Sequence, residues 1–155
     1  MAARITDGEY QALSQLRYLI RRFLQEGDLT AKGAGLEPQQ YLLLLAIRGL
    51  DPTREASIRT LAERLSLRHH STVELVDRLE SHGLVKRTRG TLDRRQVLVS
   101  LQPRGEKLLE KVVGQRIVEL RSHGYALVGA IGKLLEAGPN RARTAARRKR
   151  PRTTR

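Results

Sequence analysis

Residues 61–105 read LAERLSLRHHSTVELVDRLESHGLVKRTRGTLDRRQVLVSLQPRG, and this stretch decides the fold. Apolar residues spaced three and four apart predict a short helix that ends near Leu65 and a second helix over about 71–83. A short connection, Ser66 to His70, separates them. Two short helices joined by a tight connection are typical of a helix-turn-helix.

A β-hairpin is predicted directly after the second helix. Gly83 can terminate that helix, Val85 begins a strand, and apolar residues that alternate over 97–101 predict another strand. A helix-turn-helix followed by a hairpin is a winged helix. The hairpin carries five basic residues, namely Lys86, Arg87, Arg89, Arg94 and Arg95. The sequence therefore predicts a strongly cationic wing.

Further helices are predicted on both sides of this motif. Apolar positions from Tyr10 to Leu24 form one helical face, and Pro38 opens a strongly apolar helix after a glycine-containing loop at 30–35. Pro103 opens another helical stretch, followed by a glycine-rich apolar segment from Tyr125 to Leu135. The predicted fold is mainly α with a small β-hairpin wing: a winged helix-turn-helix plus a helical dimerisation region.

One domain is expected over residues 1–137, with the winged helix at about 51–102 and dimerisation helices at about 7–27 and 103–137. On a monomer these helices would expose a contiguous apolar surface, so we expect a homodimer. The residues expected at that surface are Leu13, Leu16, Leu108, Val112 and Leu135. Residues 138–155 contain eight Lys and Arg and no acidic residue, which predicts a disordered basic tail.

Charge and composition narrow the class of protein. Thirty Lys and Arg against sixteen Asp and Glu give a net charge of +14, which favours a polyanionic partner, with nucleic acid ahead of anionic membrane. The absence of cysteine excludes disulfides, thiolate metal sites and cysteine nucleophiles. The sequence shows neither a secretory signal nor an apolar run near the roughly 20 residues that span a bilayer. We therefore expect a cytoplasmic, nucleoid-associated protein with no membrane partner.

The string at 61–105 resembles the MarR family, the multiple antibiotic resistance regulators, and the resemblance extends over Leu13 to Leu135. It implies an obligate homodimer with intertwined terminal helices. Two recognition helices would enter successive major grooves of double-stranded DNA, and two wings would reach the flanking minor grooves. Some relatives take a small-molecule effector, often an aromatic carboxylate, in a cleft beside the dimerisation helices, and others respond to none, so this alternative stays open.

The sequence departs from the family at two helix starts. Glu37 and Gln102 stand where the family usually has a threonine N-cap. Each substitution is expected to cost about 1 kcal/mol of local stability. Neither position is expected to contact DNA.

On a helical wheel, the second helix of the motif turns Val73, Val76 and Leu79 inward, so the opposite face is expected to read DNA. The alternative is a solvated face with a capping box that starts at Ser71. The expected DNA-binding residues of this helix and its start are Arg68, His69, His70, Ser71, Thr72, Glu74, Leu75 and Arg78.

In the wing, Asp93 is expected to accept a hydrogen bond from the guanidinium of Arg95 and so to direct it toward a narrow minor groove. The family resemblance assigns minor-groove insertion to Arg95. The remaining expected DNA-binding residues are Lys86, Arg87, Arg89 and Arg94, with Arg94 on a phosphate. The alternative is a polar turn whose charges are simply solvated.

Catalytic and metal-binding patterns are missing from the sequence. No nucleophile setting or phosphate loop is present, and the four histidines lack partners at ligand spacing. We expect no enzyme, no cofactor and no metal. The leading hypothesis is a transcriptional regulator, a repressor that binds a palindromic operator as a homodimer. The alternative is an architectural DNA-coating protein with weak sequence preference, while a winged helix used for protein contacts fits poorly with so basic a wing.

Overall fold

The computed structural model describes residues 5–90, 93 and 95–136. The elements follow the order α1 (Asp7–Gly33), α2 (Pro38–Arg48), α3 (Ile58–Leu65), α4 (His69–Ser81), β1 (Val85–Arg89), β2 (Val97–Leu101) and α5 (Pro103–Glu136). The two strands form an antiparallel hairpin. The prediction of a mainly α fold with a β-hairpin wing is confirmed. Among the described helices, none is long and apolar enough to cross a membrane.

The chain divides into two compact units. In the described residues, one unit comprises 26–117 and holds α2 to α4, the wing and the adjoining parts of α1 and α5. Its hydrophobic core forms where α2 packs on α3 and α4. The fully buried core residues include Leu36, Leu43, Leu44, Leu61, Val76, Leu79, Val85 and Val112. The other unit combines residues 5–25 with residues 118–136.

Both unusual helix starts form without a threonine cap. At the start of α2, the Gln40 side chain accepts a hydrogen bond from the Glu37 backbone N–H at 3.0 Å, as one half of a reciprocal capping box. Pro38 occupies the first helical position, where its fixed φ suits a helix start. Helix α5 begins at Pro103, directly after Gln102. A capping box satisfies two otherwise orphaned N–H groups, so it compensates for the missing threonine at Glu37.

Two boundaries predicted from the sequence are wrong. The loop expected at 30–35 begins later, because α1 continues to Gly33 and the Thr30 hydroxyl donates to the Glu26 carbonyl within the helix. The segment from Tyr125 to Leu135 is not separate, since α5 runs as one 34-residue helix. A single glycine costs a helix only about 1 kcal/mol, which the helical neighbours of Gly124 can offset.

One expectation about the apolar surface is also wrong. Val112 is fully buried and belongs to the core of residues 26–117, and Leu108 packs against the same core. The sequence reasoning treated the first half of α5 as uncovered. Val112 is covered within the same unit and is not available to a dimerisation surface, whereas Leu108 is partly buried there.

Candidate nucleic-acid interface

A left-handed residue sets the turn between the two helices of the motif. The Ser57 hydroxyl caps α3 by accepting from the Thr60 N–H at 3.1 Å. At the other end Ser66 has φ 54° and ψ 38°, and the Leu67 N–H donates to the Ala62 carbonyl at 3.0 Å. A left-handed residue after a helix reverses the chain. Helix α4 therefore starts only three residues later, at His69.

The buried face of α4 is not quite the one the helical wheel placed inward. Thr72, Leu75, Val76 and Leu79 are buried at the i, i+3, i+4 and i+7 positions, while Val73 is half-buried. Leu75 is only 3% exposed and Thr72 is 0% exposed, with its hydroxyl donating to the Arg68 carbonyl at 3.1 Å. The predicted DNA contacts of Thr72 and Leu75 are therefore wrong, because both side chains belong to the core.

The outward face of α4 is polar and accessible. His70, Glu74 and Arg78 are exposed on it and Ser71 is half-buried, whereas Arg68 and His69 are exposed at the helix start. Helix α4 begins at His69 with Arg68 as its N-cap, so Ser71 lies inside the first turn and the alternative capping box is wrong. That these exposed residues contact DNA stays a prediction.

Arg87 of the wing is bound to the recognition helix instead of facing solvent. Its guanidinium pairs with the Asp77 carboxylate, contacts Glu80 Oε2 at 3.0 Å and donates to the Val73 carbonyl at 3.1 Å. The Arg87 backbone N–H also donates to Glu80 Oε1 at 2.8 Å. The side chain is only 24% exposed. All these bonds hold the wing against α4, and the DNA contact of Arg87 stays a prediction.

Breaking this arginine clasp should destabilise the fold. Replacing Arg87 with methionine keeps the aliphatic stem but removes every guanidinium bond. The partly buried Glu80 carboxylate then lacks its guanidinium partner. We expect a loss of about 1–3 kcal/mol in the free energy of unfolding, measured by urea denaturation. The matched control is R89M, two residues along β1, where the arginine is exposed. Equal stability of R87M and R89M would contradict a structural role for Arg87.

Backbone hydrogen bonds hold the wing at the middle of β2 and at its turn. The Val99 N–H donates to the Ala56 carbonyl at 2.9 Å, and the Gly90 N–H donates to the Gln96 carbonyl at 2.9 Å. The Asp93 carboxylate accepts from the backbone N–H of Arg95 at 2.9 Å. The expectation that Asp93 holds the Arg95 guanidinium is thus wrong, because the aspartate fixes the turn itself.

The remaining cations of the wing divide into those that the structure describes and one that it does not. Lys86, Arg89 and Arg95 are exposed. Arg94 lies outside the described residues, as does the basic tail predicted at 138–155. The described wing therefore presents three of the five predicted positive charges to solvent.

Sequence reasoning passed over basic residues beside α3. Arg54, Arg59 and Arg64 are exposed, and the first two pair with Glu63 at 3.8 and 3.4 Å. Before them, the Asp51 carboxylate accepts hydrogen bonds from the Thr53 hydroxyl and N–H, which lower the pKa of that carboxyl. The signal available in the sequence was a group of arginines in and just before the first helix of the motif, which crosses the DNA backbone in helix-turn-helix proteins.

The described residues offer no cluster that resembles a metal centre. No group of three or more His, Asp or Glu side chains lies close enough to hold an ion in the part of the chain that the structure describes. The chemistry of the site is therefore that of its exposed hydrogen-bond donors, acceptors and cations.

Comparison with known proteins identifies regulators that the chain resembles. The MarR family model matches residues 34–96. The chain is 27% identical over 106 residues to YsmB, an HTH-type transcriptional regulator of Bacillus subtilis, covering 68% of this chain and 70% of that protein. It is 30% identical over 101 residues to the B. subtilis transcriptional repressor MdtR, covering 65% of this chain and 63% of the relative.

A solved structure shows the same fold. A mutant of Staphylococcus aureus MepR bound to an oligodeoxyribonucleotide aligns with a TM-score of 0.59 at 17% identity, covering 92% of this chain and 99% of that one. The family match, the two curated relatives and the winged helix agree with one another. Residues 34–96 of the chain are similar to the MarR family of regulators, and the winged-helix fold around them is that of solved MarR-family structures.

Proposed function

We propose that the protein is a homodimeric repressor that binds a palindromic operator, with α4 of each protomer in the major groove and each wing at the flanking minor groove. The observation that carries the proposal is the outward face of α4, where exposed His70 and Arg78 and half-buried Ser71 present donors, beside a wing that exposes three cations. Base edges are read by such groups, and phosphates are neutralised by such cations. That a relative is a named repressor, MdtR, supports the repressor role.

The apolar surface of the unit formed by residues 5–25 and 118–136 supports the homodimer. Tyr125 is 82% exposed and Leu135 is 76% exposed. Other large apolar residues exposed in this unit are Ile5, Tyr10, Leu13, Tyr18, Ile20, Leu24, Val118, Leu120, Val128 and Ile131. Monomeric soluble proteins rarely expose apolar patches beyond a few hundred Å², so a second copy is the proposed cover.

Sedimentation tests this part of the proposal directly. Twice the chain mass of 17.5 kDa gives about 35 kDa, and we expect that species at micromolar concentration. A single 17.5 kDa species at that concentration would contradict both the dimer and the palindrome.

Selection of bound DNA from a random library, with the full chain, tests the operator. A dimer with two recognition helices should enrich an inverted repeat whose half-sites lie about 10–10.5 base pairs apart, centre to centre. The architectural alternative predicts no enriched sequence.

Release by a small ligand is a further part of the proposal. Within residues 26–117 a cavity of about 430 Å³ is lined by Leu29, Gly33 and Val112, with Lys111 at its wall. A cleft that combines apolar side chains, the polar Thr30 and Gln115 and one cation suits a small carboxylate. If aromatic carboxylates raise the melting temperature and weaken operator binding, this part of the proposal is supported. If they do neither, it is rejected.

A further inference from the structure

We propose that Glu74 is a specificity-determining residue that selects cytosine in each half-site of the operator. The inference rests on the proposed function, since it requires α4 to lie in the major groove. It goes beyond that function by naming one base and the carboxylate that reads it.

Glu74 occupies the middle of the exposed face of α4. Thr72, Leu75, Val76 and Leu79 define the buried face, and at 100° per residue Glu74 lies almost opposite their centre. Its side chain is exposed. Glu74 therefore lies on the face of α4 that would meet DNA in the major groove.

The Glu74 carboxylate has no ion-pair partner among the described residues, whereas that of Asp77 does. Asp77, one turn along, is paired with Arg87. Over residues 5–90, 93 and 95–136, the ion pairs and hydrogen bonds of the protein leave Glu74 without a side-chain partner. The arginine clasp thus pairs with two acids of α4, Asp77 and Glu80, and leaves Glu74 as a free acceptor.

A free carboxylate in a groove lined by phosphates is repelled unless a base donates to it. Only cytosine N4 and adenine N6 present donors in the major groove, and adenine adds the acceptor N7 next to its donor. A carboxylate, which has acceptors only, is therefore better matched to cytosine, whereas an amide suits adenine. The pairing of glutamate with cytosine N4 follows from this geometry.

Arg78 strengthens the assignment. It lies four residues after Glu74 on the same exposed face, about 6 Å along the helix axis. Arginine pairs best with guanine O6 and N7. The two side chains together would favour a G·C-containing half-site with the cytosine opposite Glu74.

The test compares DNA selected by the wild-type chain, by E74Q and by the control E110Q, which removes the same charge from an exposed position on α5. In the wild type we expect a cytosine at one symmetric position per half-site, whose replacement by thymine weakens binding about 5- to 150-fold. E74Q should reduce that discrimination to below twofold or shift it toward adenine. E110Q should keep the wild-type preference.

Three results would overturn the inference. If E74Q and the wild type select the same base at every position, Glu74 reads no base. If the position that changes in E74Q is not cytosine in the wild type, the base assignment is wrong. If the wild type enriches no motif, the proposed function fails as well, whereas in the first two cases the palindrome survives. Thermal unfolding of E74Q should match that of the wild type, because the side chain is exposed.

Discussion

Replacing Gly105 with alanine is expected to destabilise the protein by about 3 kcal/mol or more. Gly105 lies in the first turn of α5, and a Cβ there would fall on the Leu84 carbonyl oxygen and within 3.0 Å of the Leu84 carbonyl carbon. That oxygen already accepts from the Gln102 N–H at 2.9 Å. The clash is with backbone, so no flexible side chain can move aside. The first turn of α5 must separate from the link between α4 and β1.

Gly114, in the same helix, is the matched control. A Cβ there meets nothing within 4 Å, so G114A should stabilise α5 by about 0.5–1 kcal/mol. Urea denaturation of both variants checks the pair. If G105A unfolds at the same urea concentration as the wild type, the close approach of α5 to Leu84 is not present in solution.

Replacing Arg95 with alanine should weaken operator binding by about 1–3 kcal/mol per wing. The residue is exposed, and its backbone is fixed through the Asp93 carboxylate, so the turn should persist without the guanidinium. A dimer presents two wings, and independent losses add. Fluorescence anisotropy with labelled operator measures the effect.

K107A is the control for Arg95, because it removes one positive charge from an exposed position on α5. Binding by K107A should stay close to that of the wild type at physiological salt. R95A and K107A with equal affinities would show that the wing adds only general charge, and the minor-groove role of Arg95 would be abandoned.

Local patterns were enough to predict most of the fold. The hairpin follows from the alternation over 97–101 and the turn at Gly83, both of which act over a few residues. Helix ends were less accurate, because they depend on tertiary support. Helix α1 continues through Thr30 to Gly33, where a glycine-containing segment predicted a loop, and Val112 is buried because residues 26–117 fold around it.

The candidate site was predicted in outline and misplaced in detail. The wheel for α4 placed Val73 inward beside Val76 and Leu79, whereas the core takes Thr72 and Leu75. A threonine was not expected to be fully buried. Its hydroxyl is satisfied by the Arg68 carbonyl, a contact that polarity alone does not reveal. Arg87 was grouped with the other wing cations, because nothing in its spacing indicates that Asp77 and Glu80 lie beneath it.

Sequence reading by a dimer of α4 helices is the central claim, and one comparison tests it most directly. The full chain is titrated, at one salt concentration, against the selected operator and against versions with one or both half-sites scrambled. We expect the doubly scrambled DNA to bind at least about 10³-fold more weakly than the operator, with the singly scrambled DNA between them. Affinities that agree within twofold for all three would contradict the account and leave a protein that coats DNA through charge alone.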